Sequence, residues 1–272
     1  MIIMENSQRT NTYNDSSFLQ IFGFGLVEFT KTNISEKTDI IFQKGMGIPF
    51  IQNLLELYKK EIIEKKKGNS IVPLDDYTVI IHFFENKQGN ILLIIFMDEK
   101  EKPTSYGKLY IISKKINERW QSNLPFLELK SFCNEMIQIP RADGILALLI
   151  IGETGSPYIT KINKNQTLIS NSEVQISGFI SALLSFSKEI INKDSGATLK
   201  EINFGNQHFY TIVKNDVIFA YLVTKMKPLI QRYMYLIVEE FLSEYSDYVS
   251  QFDGDVTRFN NFEDLIDEYF VI

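Results

Sequence analysis

Two histidines, one cysteine and a C-terminal gathering of carboxylates are the residues whose chemistry could be put to work in this chain. His82 (TVIIHFFE) and His208 (GNQHFYTI) each fall on what the pattern gives as the fourth strand of one half, at positions that match. Either could act as a general base at neutral pH, but only beside a nucleophile, a carboxylate or a metal. No HExxH, CxxC, GxSxG or phosphate-binding GxxxxGK[ST] accompanies them, so both are read as packed or solvated strand histidines. Cys133 lies on a helix without a neighbouring histidine and is read as an inert packed thiol. Gly23-Phe24-Gly25 lacks the third glycine of a dinucleotide loop and signals close strand packing instead. Asp253-Gly254-Asp255 resembles the opening of a calcium loop. It lacks the further ligands and the bidentate glutamate at the right distance. Around it stand Glu239, Glu240, Glu244, Asp247, Glu263, Asp264, Asp267 and Glu268, with Arg258 as the single opposing charge. They read as an ordinary solvated acidic face, with a docking surface for a basic partner as the alternative, and they repel anionic lipid. The expectation is a protein that is not an enzyme, with no catalytic residue, no cofactor and no metal.

The totals narrow the class further. The chain has 272 residues, 44% of them apolar, with 21 Phe and 13 Tyr, ample for packed cores. A net charge of −6 disfavours a nucleic-acid backbone as partner. One cysteine excludes an internal disulfide framework and suits a reducing, cytoplasmic setting. No apolar run approaches the roughly 18 residues needed to span a bilayer. Residues 1–17 are polar and lack the order of a signal peptide, so they are expected to be a flexible lead-in. The sequons at Asn14, Asn33 and Asn165 are then chance matches.

Hydrophobic periodicity gives the elements. Phe18–Phe29 reads as one buried strand and Asp39–Gln43 as a short one, joined by a polar connection. A helix follows, with Pro49 in its first turn, Ile51, Leu54, Leu55, Tyr58 and Ile62 on its buried face, and Gly68 as its end. Lys59, Lys60 and Lys65–Lys67 crowd its last turns, where cations suit the helix dipole. After a segment at Ser70–Leu74, the strands Tyr77–Glu85 and Ile91–Met97 flank Asn86–Asn90. Thr104 or Ser105 caps a helix carrying Leu109, Ile112, Ile116 and Trp120, and Phe126–Ile137 forms another. Pro140–Asp143 reads as a linker, after which the order restarts. Ile145–Ile151 and Tyr158–Ile162 are strands around the turn Glu153–Pro157. Asn171 or Ser172 caps a helix that Gly196 closes. Leu199–Phe204, Phe209–Val213 and Val217–Val223 are strands, with Gly205-Asn206 and Lys214–Asp216 as turns. Pro228 opens a long helix, and Asn261 caps a short last one. Strand and helix starts in the two halves differ by about 126 residues, so the chain reads as two copies of one β-β-α-β-β-β-α-α unit, 18–139 and 144–272.

That order, with the first helix GFISALLSFSKEI, the hairpin LKEINFGNQHFYTI and the helix VEEFLSEY, resembles the longin domains of the longin/roadblock superfamily. The likeness covers nearly the whole chain as a tandem pair and is better in the second half. Roadblock domains share the core but begin with a helix, whereas both halves here begin with a strand pair. The resemblance implies an α+β fold: in each domain a five-stranded antiparallel sheet has one helix on one face and two on the other. It also implies a non-enzymatic scaffold in vesicle trafficking that binds, and regulates, a small Ras-like GTPase. Self-association or pairing with another longin/roadblock protein would use sheet edges and first helices. The expected partner surface is the pair of first helices, with Gln52, Lys59 and Ser185 on their outer sides. Such a protein would be cytoplasmic and reach membranes only through a partner. The alternative is a small-molecule sensor of the PAS or profilin type, which requires a buried cavity of mixed polarity between sheet and helices.

Overall fold

Each half is built on a five-stranded antiparallel sheet, and the two sheets share one strand order. The computed structural model describes residues 18–31, 36–101, 103–152, 154–163, 173–191, 200–203 and 205–272. In the first half β2 (Gly23–Lys31), β3 (Glu36–Lys44), β4 (Gly68–Pro73), β5 (Tyr77–Glu85) and β6 (Ile91–Glu99) lie in the order β3-β2-β6-β5-β4. In the second half β9 (Ile145–Gly152), β10 (Pro157–Ile162), β11 (Glu201–Asn203), β12 (His208–Lys214) and β13 (Val217–Val223) lie in the order β10-β9-β13-β12-β11. The last strand of each five-stranded sheet, β6 or β13, is therefore central. Paired on both sides and covered on both faces, it must be apolar at nearly every position, as ILLIIFM and VIFAYLV are.

One helix covers one face of each sheet and two cover the other. On the first sheet, α1 (Ile48–Lys65) packs Ile51, Leu54 and Ile62 onto Val27, Val79, Leu93 and Ile95. On the opposite face, α2 (Tyr106–Gln121) and α3 (Phe126–Met136) pack Leu109, Ile112, Ile116, Trp120, Leu129 and Cys133 onto Phe24, Leu26, Ile94 and Phe96. In the second half α4 (Glu173–Ile191) sets Ile180 and Leu184 on Leu149, Phe209 and Leu222. There α5 (Pro228–Val249) and α6 (Phe262–Tyr269) close the other face with an aromatic core around Phe241.

Local chemistry explains the joints. Ser105 caps α2, its hydroxyl accepting from the Lys108 N–H, while the neighbouring Thr104 N–H donates to Asp98 Oδ2 at 2.6 Å. Asn215 and Asp216 both have positive φ, 51° and 61°, the two-residue hairpin turn whose twist matches its strands. Asn203 Oδ1 accepts from the Gly205 N–H at 2.8 Å and opens the β11–β12 turn.

Several boundaries differ from the sequence reading. Phe18–Phe29 is not one strand: β1 (Leu19–Gln20) separates from β2 at Phe22. A Cβ at Gly23 would lie 2.6 Å from Met46 Cγ and 2.8 Å from Met97 Cε, so only a bare backbone fits where the chain bends in. β1 pairs in parallel with β7 (Ile137–Gln138), directly after α3. The second half repeats the device, with β8 (Ala142–Asp143) parallel to β14 (Phe270–Val271) after α6. The expected linker residues Ala142 and Asp143 are thus part of a ladder. Helix α1 ends at Lys65 through Lys66, whose left-handed φ of 62° lets its N–H reach Ile62 O, and Gly68 instead opens β4. Asn261 precedes α6 without a side-chain cap. The expected caps Asn171 and Ser172, the stop at Gly196, the strand ends Leu199 and Phe204, the three sequons and the lead-in lie outside the described residues.

Candidate functional site

The two histidines do not occupy corresponding places. His82 faces Ile94 in the middle of the β5–β6 ladder, whereas His208 faces Val223 at the end of the β12–β13 ladder. The reason is the intervening turn, residues 86–90 in the first hairpin and only Asn215-Asp216 in the second, which breaks the even spacing. His82 is 1% exposed, with Nδ1 2.6 Å from Ser113 Oγ, a buried and unpartnered Nε2, and the rings of Phe96, Tyr106 and Tyr110 around it. Burial lowers its pKa to about 4, so it is neutral at pH 7. His208 pairs with Glu201 at 2.7 Å on the surface. Burial raises the Cys133 thiol to about 12, which keeps it protonated and unreactive. Asp253 accepts from the Tyr248 hydroxyl and the Asp255 N–H, and Asp255 from Thr257, so both carboxylates are spent on a local turn. Among the described residues no three or more His, Cys, Asp or Glu side chains converge as a metal site.

A measurable consequence follows for His82. The unfolded imidazole titrates near 6.5 and the folded one near 4, so the unfolded state takes up the proton first as the pH falls. Stability from this residue is complete above pH 6.5 and is lost progressively below it, by about 2 kcal/mol between pH 7 and pH 5. Urea titrations should show that slope in the wild type and a flatter one in the His82→Leu/Ser113→Ala double variant, which removes both polar partners.

With no reactive cluster among the described residues, the candidate site is a surface. On α1, Gln52 and Lys59 are exposed, as is Leu57 at 77%. On α4, Ser185 is exposed beside Phe179 and Phe186. These two helices do not form one surface. The start of α1 packs against α5, which lies on the face of the second sheet opposite α4, so that sheet stands between Gln52 and Ser185. The cause is the asymmetric docking of the halves, which local sequence pattern does not encode.

What fixes α1 is a grip on the segment between β3 and the helix. Gln43 Nε2 donates to Glu240 Oε1 at 2.6 Å, and Lys44 pairs with Glu268 at 2.6 Å. The Gly45 N–H donates to the Tyr269 hydroxyl at 3.3 Å. Arg232 Nη2 donates to Gly45 O and, at 2.8 Å, to Phe22 O, with its guanidinium 4.7 Å from the Tyr77 ring centre. Glu239 lies against Gly47, where a Cβ would meet Oε2 at 2.2 Å. The N-terminus of α1 has no capping side chain and no acid in its own first turn, so Glu239 from the other half supplies the negative charge there. Beside the grip, an open groove of about 700 Å³ runs between Phe42 and Gln43, Leu127 and Lys130, and Leu265 and Glu268. It lies between the halves, not inside a sheet-and-helix layer.

Glu240 is the titratable element of the grip. Burial first, then the neighbouring Glu239, Glu244 and Glu268, push its pKa up to about 7, against the pull of the Gln43 hydrogen bond. Its folded pKa exceeds its unfolded one, so protonation favours the folded state and the contribution weakens as pH rises from about 4.5 to 7. Glu240→Gln keeps an acceptor for Gln43 and removes the charge. It should raise stability by about 1–2 kcal/mol at pH 8 and by nothing below pH 4.5, read from urea midpoints at the two pH values.

No described helix is long and apolar enough to cross a membrane. Compared with known proteins, the sequence matches no protein-family model and has no significantly similar curated relative.

Proposed function

We propose that the chain is a non-enzymatic interaction scaffold of tandem longin type, which binds a small Ras-like GTPase in the cytoplasm and serves vesicle trafficking. Its effect on the partner's nucleotide state would come from reshaping the partner's switch region, not from a reacting group of its own. The strand order, with one helix on one face and two on the other in both halves, supports the longin reading. Fold analogy carries the choice of partner.

The observation that carries the interaction reading is Leu57. It stands 77% exposed on the outward side of α1, with Gln52, Asn53, Glu56, Lys59 and Lys60 exposed around it. An apolar anchor inside a polar rim is the anatomy of a transient protein interface. The grip on Gln43–Gly47 holds that helix in place before any partner arrives, which limits the ordering cost of binding. In the first half, the space under α1 argues against the sensor alternative. The cavity under α1, lined by Phe29, Leu55, Ile62 and Leu93, measures about 30 Å³. Rings fill the layer beneath α5.

Capture of a panel of small GTPases in GDP-bound, GTP-bound and nucleotide-free states tests the proposal. Binding to at least one member should weaken by at least about tenfold in Leu57→Asp, with the melting temperature unchanged because the side chain is in solvent. Binding to none of them contradicts it.

A further inference from the structure

Strand β2 carries a charge on the face that α2 and α3 cover. Glu28 follows Phe24 and Leu26 there at the alternate spacing of a strand, and it is only 8% exposed. A carboxylate taken out of water is costly unless it is paired. Two donors reach it, Trp120 Nε1 at 3.1 Å from the end of α2 and Asn90 Nδ2 at 3.3 Å from the β5–β6 turn. Both donate to Oε1. Among the described residues nothing donates to Oε2, no cation pairs with Glu28, and Oε2 is not sealed off from solvent. Glu28 lines an open pocket of about 290 Å³ between the β5–β6 turn and the α2–α3 turn, and Oε2 is the oxygen left to face it.

The walls of this pocket suit one kind of ligand. Trp120 and Phe126 give it aromatic surface, with Phe126 46% exposed at the mouth. On one side the Asn86 side chain bonds to Gln88 and to the Asn90 N–H, which holds the β5–β6 turn in shape. On the other, Asn123 brings its amide from a left-handed position, φ 56°, in the α2–α3 turn. A desolvated carboxylate beside rings and amides makes a site for an organic ammonium. The carboxylate takes its charge, amide oxygens take its remaining N–H groups, and the rings take its alkyl carbons. A metal ion fits less well, since no three His, Cys, Asp or Glu side chains converge among the described residues. We propose that this pocket binds a small molecule bearing a primary alkylammonium group, with the nitrogen on Glu28 Oε2. A recess of this volume fits a free amine better than a broad partner face. The site lies across the first sheet from α1, so it is separate from Leu57 and does not depend on the GTPase reading.

Trp120 is the only tryptophan and its indole is bonded to Glu28, so its fluorescence reports this pocket directly. Titration with n-butylammonium chloride should change the emission saturably, with half-saturation at about the millimolar level. The neutral isostere n-butanol, and potassium chloride at the same ionic strength, should leave it unchanged. Glu28→Gln keeps an acceptor for Trp120 and Asn90 and removes the charge. It should retain the melting temperature and weaken n-butylammonium binding by at least about tenfold. Phe126→Ala removes an exposed ring, so it keeps the chain folded whatever Glu28→Gln does, and it should weaken binding by about threefold. Nα-acetyl-lysine methylamide presents the same alkylammonium on a peptide unit and should bind no tighter than n-butylammonium. Tighter binding of that lysine probe overturns the assignment to a free amine. No saturable response to n-butylammonium, an equal response to n-butanol, or undiminished binding by either variant overturns the site itself.

Discussion

Phe241→Ala is expected to cost about 4 kcal/mol. The ring sits fully buried in α5, with the centroids of Phe219, Tyr245, Phe259 and Phe262 at 5.6, 5.1, 5.5 and 5.2 Å. Two of those contacts are edge-on, at 82° and 84°, the arrangement that adds electrostatic attraction to burial. Four aromatic rings held by β13, α5, the turn Thr257–Phe259 and α6 cannot close over the gap together, so both the transfer loss and most of a cavity remain. Urea denaturation should show the midpoint fall with the slope unchanged. Phe179→Ala makes the control, because the same chemical deletion on the exposed face of α4 should change stability by no more than about 0.5 kcal/mol.

Arg232→Ala is expected to cost about 3 kcal/mol and to uncouple the halves. The guanidinium spans Phe22 O and Gly45 O and stacks on Tyr77, three groups of the first half reached from a helix of the second. Removing it leaves two carbonyls without their donor and opens the space over the ring. Arg232→Lys should recover only part of the loss, since an ammonium can still donate to both oxygens, as the single Nη2 does, but lacks the planar guanidinium face that lies against Tyr77. Trp120 is the only tryptophan and belongs to the first half, so its fluorescence reports that half while far-UV dichroism reports both. The two signals should coincide on unfolding of the wild type and separate in the alanine variant. Coincident transitions in the variant would mean that the grip on Gln43–Gly47 does not couple the halves.

Much of the architecture was legible because it is locally written. Runs such as Ile91–Met97 and Val217–Val223 have only one home, the doubly covered centre of a sheet, and Pro49 and Pro228 mark helix starts by the donor they lack. The α+β fold with two repeated sheets follows from such signals. What sequence pattern missed depends on contacts across long separations. The close approach of Met46 and Met97 to Gly23 and the parallel bridges of β1 with β7 and β8 with β14 join segments far apart in the chain, the bridged dipeptides being more than a hundred residues apart. Lys66 in a left-handed C-cap has no compositional signal, whereas the Gly68 beside it did and misled. The equal spacing of the histidines looked like correspondence, but a shorter second hairpin shifted the ladder.

The surface was less legible than the core. Gln52, Lys59 and Ser185 are outward on their helices, as the 3.6-residue period requires, yet the period cannot say that a whole sheet separates α1 from α4. Nor did any one-dimensional pattern connect Arg232, Glu240 and Tyr269 with the loop they hold.

Hydrogen exchange across the whole chain, with and without a saturating small GTPase captured from the panel, addresses the proposed interaction function most directly. Protection confined to α1 around Gln52–Lys60, with the sheets unchanged, is the expected result. Protection that falls on the groove beside β3 or on the sheet interiors, or no change with any GTPase tested, contradicts a partner surface on α1.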